Sequence, residues 1–260
     1  MKILLTNDDG IEAYGLRVLA EELSRIGEVS LSAPEKNNSG AGHGMTVTEP
    51  LRAVRRDYVG ISGPAWAING TPVDCVKLAI DQLLPKKPDI VISGINNGRN
   101  LSSDCVYSGT VGAAAEGTLS YVPSIAVSLC GRDLVHYHTA AMVLKDVLAD
   151  FLDDDRNLDY MLNINVPDLP YEQLKGFKAS VFDSPIDYRR PITVETLDAD
   201  TLLLSLDRPG PARQKHVRLA EGDAGAVSDG YVSLTPIWFD MVHKDCMENV
   251  RKLEKLFRNR

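Results

Sequence analysis

The sequence predicts an α/β fold with a three-layer, Rossmann-like, mostly parallel sheet, followed by a β-rich extension and a C-terminal helix. Over the first 175 residues, short and almost wholly apolar runs alternate with amphipathic helical segments, as in a sheet covered by helices on both faces. After residue 176 this alternation stops, and strand-like runs punctuated by prolines follow. We expect a single domain over residues 1–260, with its core at about 1–175 and a β-rich arm with the final helix at about 176–260.

The elements of the core follow from apolar periodicity and from the residues found at helix ends. One helix begins after Thr71, which is the expected N-cap, with Pro72 at the first helical position and Asp74 near the positive helix start. In chain order we predict a strand in the apolar run before Asp8, a helix at 14–26, a strand at 28–33, strand-like runs at 46–54, 58–61 and 66–68, a helix from 71 to about 84, a strand at 89–94, a helix after Tyr107, a strand at 123–129, a helix at 134–152 and a strand at 160–166.

The arm is predicted from sequence runs that do not continue the strand and helix alternation of the core. Strand-like runs lie at 177–182, 192–197, 201–206 and 230–238, and a helix is expected at about 243–257. Prolines separate several of these runs, as they do at the edges and turns of β structure. The arm has little obvious hydrophobic core of its own.

Composition excludes several classes of protein. The chain of 260 residues has a formal net charge of −8, and no basic run is long enough to follow a phosphate backbone or an anionic membrane surface. We therefore expect no binding to nucleic-acid duplexes and no membrane association. The four cysteines are widely spaced, which is typical of a reducing compartment, and no secretory leader is recognisable. These features predict a cytoplasmic protein, for which small anionic substrates remain possible.

Two adjacent carboxylates, Asp8 and Asp9, end the first predicted strand and are followed by Gly10. Like charges this close resist ionising together, and a divalent cation removes the conflict. Oxygen-only ligands favour Mg or Mn over Zn. The same stretch is also typical of a simple turn, because Asn, Asp and Gly are the residues that turns use. The pair alone leaves both interpretations open.

Two more polar loops follow strands and are expected at the same edge of the sheet. Loop 34–46 is rich in Gly and Asn, and its His43 is a candidate general acid, a phosphate contact or a solvated residue, the last being the usual fate of an isolated histidine. Loop 94–100 offers the amide oxygen of Asn96 or Asn97 to a hard cation. Its Arg99 either faces a phosphate or is solvated.

A glycine-containing turn at Ser108, Gly109 and Thr110 opens a helix of small residues. The backbone N–H groups of such a start, with the two hydroxyls, form a candidate phosphate site. The turn is neither a Walker A loop nor a Gly-x-Gly-x-x-Gly fingerprint. Ordinary capping of the helix by Ser or Thr is the structural alternative. In combination, the four loops predict metal-assisted hydrolysis of a phosphate ester.

Several motifs, which occur in order over nearly the whole chain, resemble those of the stationary-phase survival protein SurE family of 5′/3′-nucleotidases. They are Leu5-Thr6-Asn7-Asp8-Asp9-Gly10, Asn38-Ser39-Gly40, Ser93-Gly94-Ile95-Asn96 with Asn100, Tyr107-Ser108-Gly109-Thr110-Val111 and Gly230-Tyr231-Val232-Ser233-Leu234-Thr235-Pro236. One departure is Ser102, where the family often has glycine; it alters no expected ligand.

The resemblance implies a site, a substrate class and an assembly. It implies nucleoside monophosphate substrates, cleavage of short polyphosphate by some members, and a homodimer or homotetramer formed by exchange of C-terminal segments. One divalent metal ion per subunit, Mg or Mn, and the substrate phosphate are expected to be held by two sets of residues. The metal set is Asp8, Asp9, Ser39 and Asn96, and the phosphate set is Asn100, Ser108, Gly109 and Thr110.

The expected mechanism is attack on phosphorus by a water that the metal activates, with Asp8 or Asp9 as the proton acceptor. Ser108, Thr110 and nearby N–H groups hold the phosphate oxygens as charge develops. One rival is a haloacid-dehalogenase-like phosphatase with a covalent aspartate, although that family has Asp-x-Asp rather than an adjacent pair. Another rival is a nucleotide-binding stress regulator without turnover.

Overall fold

A computed structural model of the protein describes residues 1–183, 192–198, 200–206, 219–238, 242, 244–248 and 250–251. It confirms the α/β class. The helices are α1 Tyr14–Leu23, α2 Pro72–Leu78, α3 Asp104–Tyr107, α4 Gly109–Leu119, α5 Tyr137–Asp153 and α6 Asp223–Ser228. The strands are β1 Lys2–Thr6, β2 Glu28–Pro34, β3 Ala53–Arg56, β4 Ala65–Ile68, β5 Ile90–Asn97, β6 Ser124–Cys130, β7 Met161–Pro167, β8 Phe177–Ala179, β9 Ile192–Thr196, β10 Leu202–Leu206 and β11 Val232–Ile237.

Nine of the strands form one sheet in the order β3-β4-β2-β1-β5-β6-β7-β11-β8. All neighbours from β4 to β7 are parallel, whereas β3 runs antiparallel to β4 and β11 antiparallel to β7. Strand order reverses around β1, with β2 on one side and β5 on the other. Ligands of open α/β sheets bind outside the carboxyl ends of the strands at such a reversal.

Alternate residues of β1 enter two separate apolar layers, as expected for a strand covered on both faces. Ile3 and Leu5 pack in the layer formed by α1 and α5, and Leu4 packs in the layer formed by α2 and α4. All three side chains are buried. This is the predicted three-layer arrangement.

Two of the predicted strand-like runs are wrong. Of the run at 46–54, only its last two residues are extended, within the strand Ala53–Arg56. The run at 58–61 is not a strand, since Gly60 has a φ of 89°. The helix predicted from Thr71 to about Leu84 is present, with an α-helical part followed by one π-helical turn, Ala79–Leu83. Helices α3 and α6, too short for a periodic signal, were not predicted.

The expected division near residue 175 does not separate two sheets. Strands β8 and β11 come from the predicted arm, yet both lie in the nine-stranded sheet. Side chains of β11 join the apolar layers, where Val232 is 1% exposed. Within the described part of the chain, only β9 and β10 form a separate sheet, which is two-stranded and antiparallel. Most of the predicted helix at 243–257 lies outside the described residues, of which 247, 248, 250 and 251 are helical.

No helix within the described part of the chain has the length and apolar character needed to cross a bilayer.

Candidate active site

The turn that follows β1 is fixed by a side chain that the sequence analysis did not single out. Asn7 is fully buried, and its Nδ2 donates to the Gly10 carbonyl across 2.9 Å while its Oδ1 accepts from the Gly10 N–H across 3.1 Å. Gly10 has a φ of 105°, which suits only glycine here. This closed turn aims Asp8 and Asp9 away from the strand at the carboxyl edge of the sheet.

Asp8 is buried, and the start of α4 surrounds its carboxylate. The Thr110 hydroxyl donates to Asp8 Oδ1 across 2.6 Å. Burial raises the pKa of Asp8 above its ordinary value, and hydrogen bonds from the Thr110 side chain and from the backbone of Thr110 and Gly109 oppose that rise. The carboxylate therefore lies in a desolvated pocket. Among the described residues, hydrogen bonds are the only interactions that offset the cost of burying its charge.

The amide oxygen of Asn96 meets Asp8 at the same hydroxyl. Thr110 Oγ1 lies 3.3 Å from Asn96 Oδ1 as well as 2.6 Å from Asp8 Oδ1. The Asn96 amide is oriented by Nδ2, which donates to the Gly98 carbonyl across 2.8 Å and so turns the oxygen toward Thr110. Residues 88 positions apart in the sequence thus bring two side-chain oxygen atoms to the same hydroxyl.

Asp9 is held at the edge of the same centre. Its Oδ2 accepts from the Asn97 N–H across 3.0 Å, and its Oδ1 accepts from Asn37 Nδ2 across 3.2 Å. Burial is the main cause that raises the pKa of Asp9, and the nearby Asp8 charge raises it further. Asn97 therefore contributes its backbone N–H to Asp9, while Asn96 contributes its side-chain oxygen to the centre.

Ser39 lies in a loop that is tied to the Asp8 turn. The Asn38 N–H donates to the Asp8 carbonyl across 2.7 Å, and the Ser39 N–H donates to Asn37 Oδ1 across 2.9 Å. Ser39 itself is exposed. Its neighbours Asn37 and Asn38 contact the two aspartates, and the role of Ser39 as a ligand stays a prediction.

The donor set fits a hard divalent cation. Among the described residues, no group of three or more His, Cys, Asp and Glu side chains lies together. Asp8 and Asp9 supply two carboxylates, and Asn96 supplies an amide oxygen. Both carboxylates have pKa values raised by burial. A cation of the Mg or Mn type would neutralise the charge of two buried carboxylates of this kind.

The predicted phosphate turn, Ser108 to Thr110, contacts the Asp8 side chain. Ser108 is the N-cap of α4, and its Oγ accepts from the Val111 N–H across 3.1 Å. Its contact with phosphate stays a prediction. A Cβ at Gly109 would lie 2.8 Å from the Asp8 Cβ, so glycine is required for this approach. The hydrogen of the Ser108 hydroxyl takes no part in the helix cap, because the Ser108 oxygen is the acceptor in that hydrogen bond.

Asn100 belongs to a buried network behind the site. It is 5% exposed, its Nδ2 donates to Ser128 Oγ across 2.8 Å, and its N–H donates to Asn165 Oδ1 across 2.9 Å. Its carbonyl accepts from both Asn163 and Asn165. These contacts give Asn100 a structural role, and its contact with phosphate stays a prediction.

Two residues with open roles are engaged away from Asp8. Nε2 of His43 lies 3.2 Å from Oε2 of Glu116 on α4. Arg99 Nε donates to Asp104 Oδ2 across 3.0 Å, with the Arg99 side chain 49% exposed. Neither contact places a charged group at the Asp8 carboxylate.

Sequence reasoning missed a buried cluster of hydrogen bonds around Ser102, which follows the loop at 94–100 and is called the Ser102 hub below. Ser102 is fully buried at a φ of 52°, and its N–H and hydroxyl both donate to the Asp223 carboxylate, across 2.6 Å and 2.7 Å. The Asp183 N–H donates to the same hydroxyl across 3.0 Å. No local pattern marks this contact, because its partners lie 121 and 81 residues away.

Comparison with known proteins shows similarity to one family over most of the chain. The family model described as survival protein SurE matches residues 3–184. The 5′-nucleotidase SurE of Legionella pneumophila (strain Lens) is 39% identical over 259 residues, with 97% of each chain covered. That of Aeromonas hydrophila subsp. hydrophila is 40% identical over 251 residues, with 93% of each covered. The crystal structure of the SurE protein from Aquifex aeolicus superimposes with a TM-score of 0.82 at 35% identity, covering 98% of this chain and 100% of that chain.

Proposed function

The chain belongs to the SurE survival protein family, and we propose that it is a metal-dependent 5′-nucleotidase that releases phosphate from nucleoside monophosphates. One observation is the main support for the proposed metal site. Asp8 Oδ1 and Asn96 Oδ1 both approach the hydroxyl of Thr110, at the carboxyl edge of the sheet and the start of α4. Oxygen ligands and helix N–H groups therefore meet where a cation and a phosphate bind together.

Asp8, Asp9, Asn96 and Ser39 are the residues that would hold the metal. When bound, a divalent cation of the Mg or Mn type supplies Lewis-acid chemistry: it draws charge from the phosphate and makes the attacking water more acidic. Asp8 or Asp9 accepts the proton of that water, since both are carboxylates at the centre. The bond between phosphorus and the ester oxygen breaks as phosphorus accepts the water oxygen, and the proton taken up by the aspartate passes to the departing nucleoside oxygen.

The start of α4 and its neighbours hold the phosphate. The Ser108 hydroxyl has its hydrogen available for a phosphate oxygen, because its oxygen is the acceptor in the helix cap. Backbone N–H groups of Gly109 and Thr110 already face the Asp8 carboxylate, so they are aimed at the point where anionic charge gathers. Asn100 orients the loop that carries Arg99 and the Ser102 hub.

Finer parts of the proposal rest on the resemblance and on composition. We extend the activity to nucleoside 3′-monophosphates and to short polyphosphate, whose phosphates offer the same oxygens to the site. The protein works in the cytoplasm, and the arm forms a homodimer or homotetramer by exchanging C-terminal segments. Exposed apolar side chains on both strands of the separate β9 and β10 sheet support a role in assembly.

The proposal is tested by measuring free phosphate released from AMP by the wild-type chain with Mn and with EDTA. Asp8→Asn and Asp9→Asn are compared with Asp57→Asn, a control that removes an exposed carboxylate. We expect release with Mn, none with EDTA, and a loss of at least about 100-fold in kcat/KM for both site variants. The control should behave as wild type.

Different outcomes separate the rivals. Near-normal turnover in both site variants contradicts the metal assignment. An acyl-phosphate trapped during turnover identifies the covalent-aspartate mechanism instead. Binding of AMP without phosphate release identifies a nucleotide-binding regulator.

A further inference from the structure

A groove of about 350 Å³ is lined in part by Asn38, whose N–H contacts the Asp8 carbonyl. Its walls include Glu35, Lys36, Asn38, Thr46, Asn69 and Thr71. We propose that this groove binds the nucleoside part of the substrate, its ribose and base, while the phosphate lies at Asp8. The inference rests on the proposed nucleotidase function and adds a site for the part of the substrate that does not react.

The groove lies at the correct edge of the sheet. One wall follows the end of β2 and the other follows the end of β4, and these strands are the next two after β1 in the sheet. All three are parallel, so their carboxyl ends point the same way. Asn38 joins the two sites directly, because its N–H donates to the Asp8 carbonyl across 2.7 Å. In this arrangement the phosphate lies at the end of β1 and the nucleoside lies past the neighbouring end of β2.

The groove is held open by a buried carboxylate. Asp74, which is 2% exposed, accepts from the N–H and the hydroxyl of Thr46, across 2.9 Å and 2.7 Å, and from the Thr71 N–H across 2.9 Å. The Thr71 hydroxyl in turn donates to the Gly44 carbonyl across 2.7 Å. The loop and the start of α2 are thereby joined before any ligand binds. Sites formed in advance lose less free energy on binding.

The side chains of the walls keep hydrogen-bonding atoms free for a ligand. Asn69 uses its Oδ1 to accept from the Arg52 N–H, which leaves Nδ2 as a donor. Asn38 uses its Nδ2 to donate to the Lys36 carbonyl, which leaves Oδ1 as an acceptor. Glu35 contacts Arg52 through Oε2, and its Oε1 can accept from a ribose hydroxyl. The donor of Asn69, the acceptor of Asn38 and the carboxylate of Glu35 can together hydrogen-bond to the base and the ribose of a nucleoside.

A second surface competes for the base. The ring of Tyr14 is 52% exposed and packs edge-on against Tyr137, with ring centroids 5.2 Å apart. Exposed aromatic faces stack bases. This pair lies with α1 and α5 on the opposite face of the sheet from α2. The groove is favoured because it is concave and offers directed hydrogen bonds, whereas Tyr14 offers one exposed ring.

The test compares AMP with p-nitrophenyl phosphate, which has no nucleoside. Asn69→Asp keeps the oxygen that accepts from Arg52 and removes the free donor, and Glu35→Ala removes the carboxylate. We expect each variant to lower the ratio of kcat/KM for AMP to that for p-nitrophenyl phosphate by about tenfold, as for one lost hydrogen bond. Gln173→Glu, an exposed amide in the turn before β8, serves as the matched control and should not change the ratio.

Adenosine binding gives a readout that does not depend on catalysis. Calorimetry should show that adenosine binds the wild-type chain and that Asn69→Asp weakens this binding about tenfold. An unchanged ratio and unchanged adenosine binding in both groove variants overturn the groove, even when the wild type hydrolyses AMP. A selective loss in Tyr14→Ala alone assigns the base to the aromatic pair instead. Failure of the proposed function shows separately, as absence of phosphate release by the wild type.

Discussion

The hydroxyl of Thr110 donates a hydrogen bond across 2.6 Å to Oδ1 of Asp8, and both side chains are buried. Through this contact, the first turn of α4 sets the position of a carboxylate that is carried by the turn after β1. Asn96 Oδ1 lies 3.3 Å from the same hydroxyl, so one residue fixes the geometry of two proposed metal ligands. In the proposed site, Thr110 therefore positions the metal ligands and also forms part of the predicted phosphate turn.

We expect Thr110→Val to lower kcat/KM for AMP about 10- to 100-fold, because a hydrogen bond to a charged group is worth about 1.5–3 kcal/mol. The apparent affinity for Mn should fall as well, since Asp8 and Asn96 lose their common partner. Thr110→Ser, which restores the hydroxyl, should recover most of both. Steady-state kinetics over a range of Mn concentrations measures these effects.

The control is Thr118→Val on the same helix. Thr118 is also buried, and its hydroxyl contacts only the Ala114 carbonyl, across 3.5 Å, among the hydrogen bonds described. A loss in Thr118→Val as large as in Thr110→Val would show that the effect comes from damage to α4 and not from the contact with Asp8.

Ser102→Ala is expected to lower the free energy of unfolding by about 1–3 kcal/mol, because the fully buried Asp223 loses its hydroxyl donor. Ser102→Gly loses the same hydroxyl but suits the φ of 52°, so it should cost less than Ser102→Ala. Urea unfolding measures both, with the exposed Ser62→Ala as the control. Equal stability of Ser102→Ala and wild type would mean that the hub does not hold the loop.

His43→Gln is expected to leave the pH profile of kcat in place and to change kcat by no more than about threefold. Its ring contacts Glu116 on α4, and a glutamine amide can still donate to that carboxylate. Loss of a general acid would instead lower kcat by about 10²–10⁴ and remove one limb of the profile. That outcome, measured on AMP from acidic to alkaline pH, would assign proton transfer to His43.

Much of the core could be predicted because its signals are local. Apolar runs and helix caps depend on residues that are neighbours in the sequence, so the sequence alone predicts β1, β2, β5 and the N-cap at Thr71. The parallel arrangement then places the ends of β1 and β5 side by side. For this reason the sequence alone predicts that Asp8 approaches the loop with Asn96 and Asn97, whereas the choice of Asn96 depends on the family resemblance.

Other features depend on contacts between distant residues and leave no local trace. The Ser102 contact with Asp223 spans 121 positions, and the contacts of Asn100 with Asn163 and Asn165 span 63 and 65. The sequence predicted Asn100 as a phosphate ligand because of its motif, whereas its buried partners are visible only in the fold. Strands β8 and β11 were likewise assigned to an arm, because nothing in their sequence says which sheet edge they extend.

The last prediction concerns the pH dependence of metal binding. In the metal-free protein, burial raises the pKa of Asp8 and Asp9 above 3.8. Because the folded-state values exceed the unfolded ones, these carboxylates lower stability at neutral pH. That cost is relieved as the pH falls through the raised folded-state values. A bound cation removes the cost at neutral pH and competes with protons at lower pH. Mn should therefore stabilise the fold most at neutral pH.

Thermal unfolding with Mn against EDTA measures this effect at a series of pH values. At a Mn concentration of about 100 times its Kd, the added stability is about 2.7 kcal/mol at neutral pH, which is a rise in Tm of roughly 5–10 °C for a chain of this size. The rise should shrink steadily as the medium is acidified toward the raised pKa values. Asp8→Asn should abolish it, and Asp57→Asn should keep it. A Mn shift that is the same at every pH, or that persists in Asp8→Asn, would place the cation at other ligands.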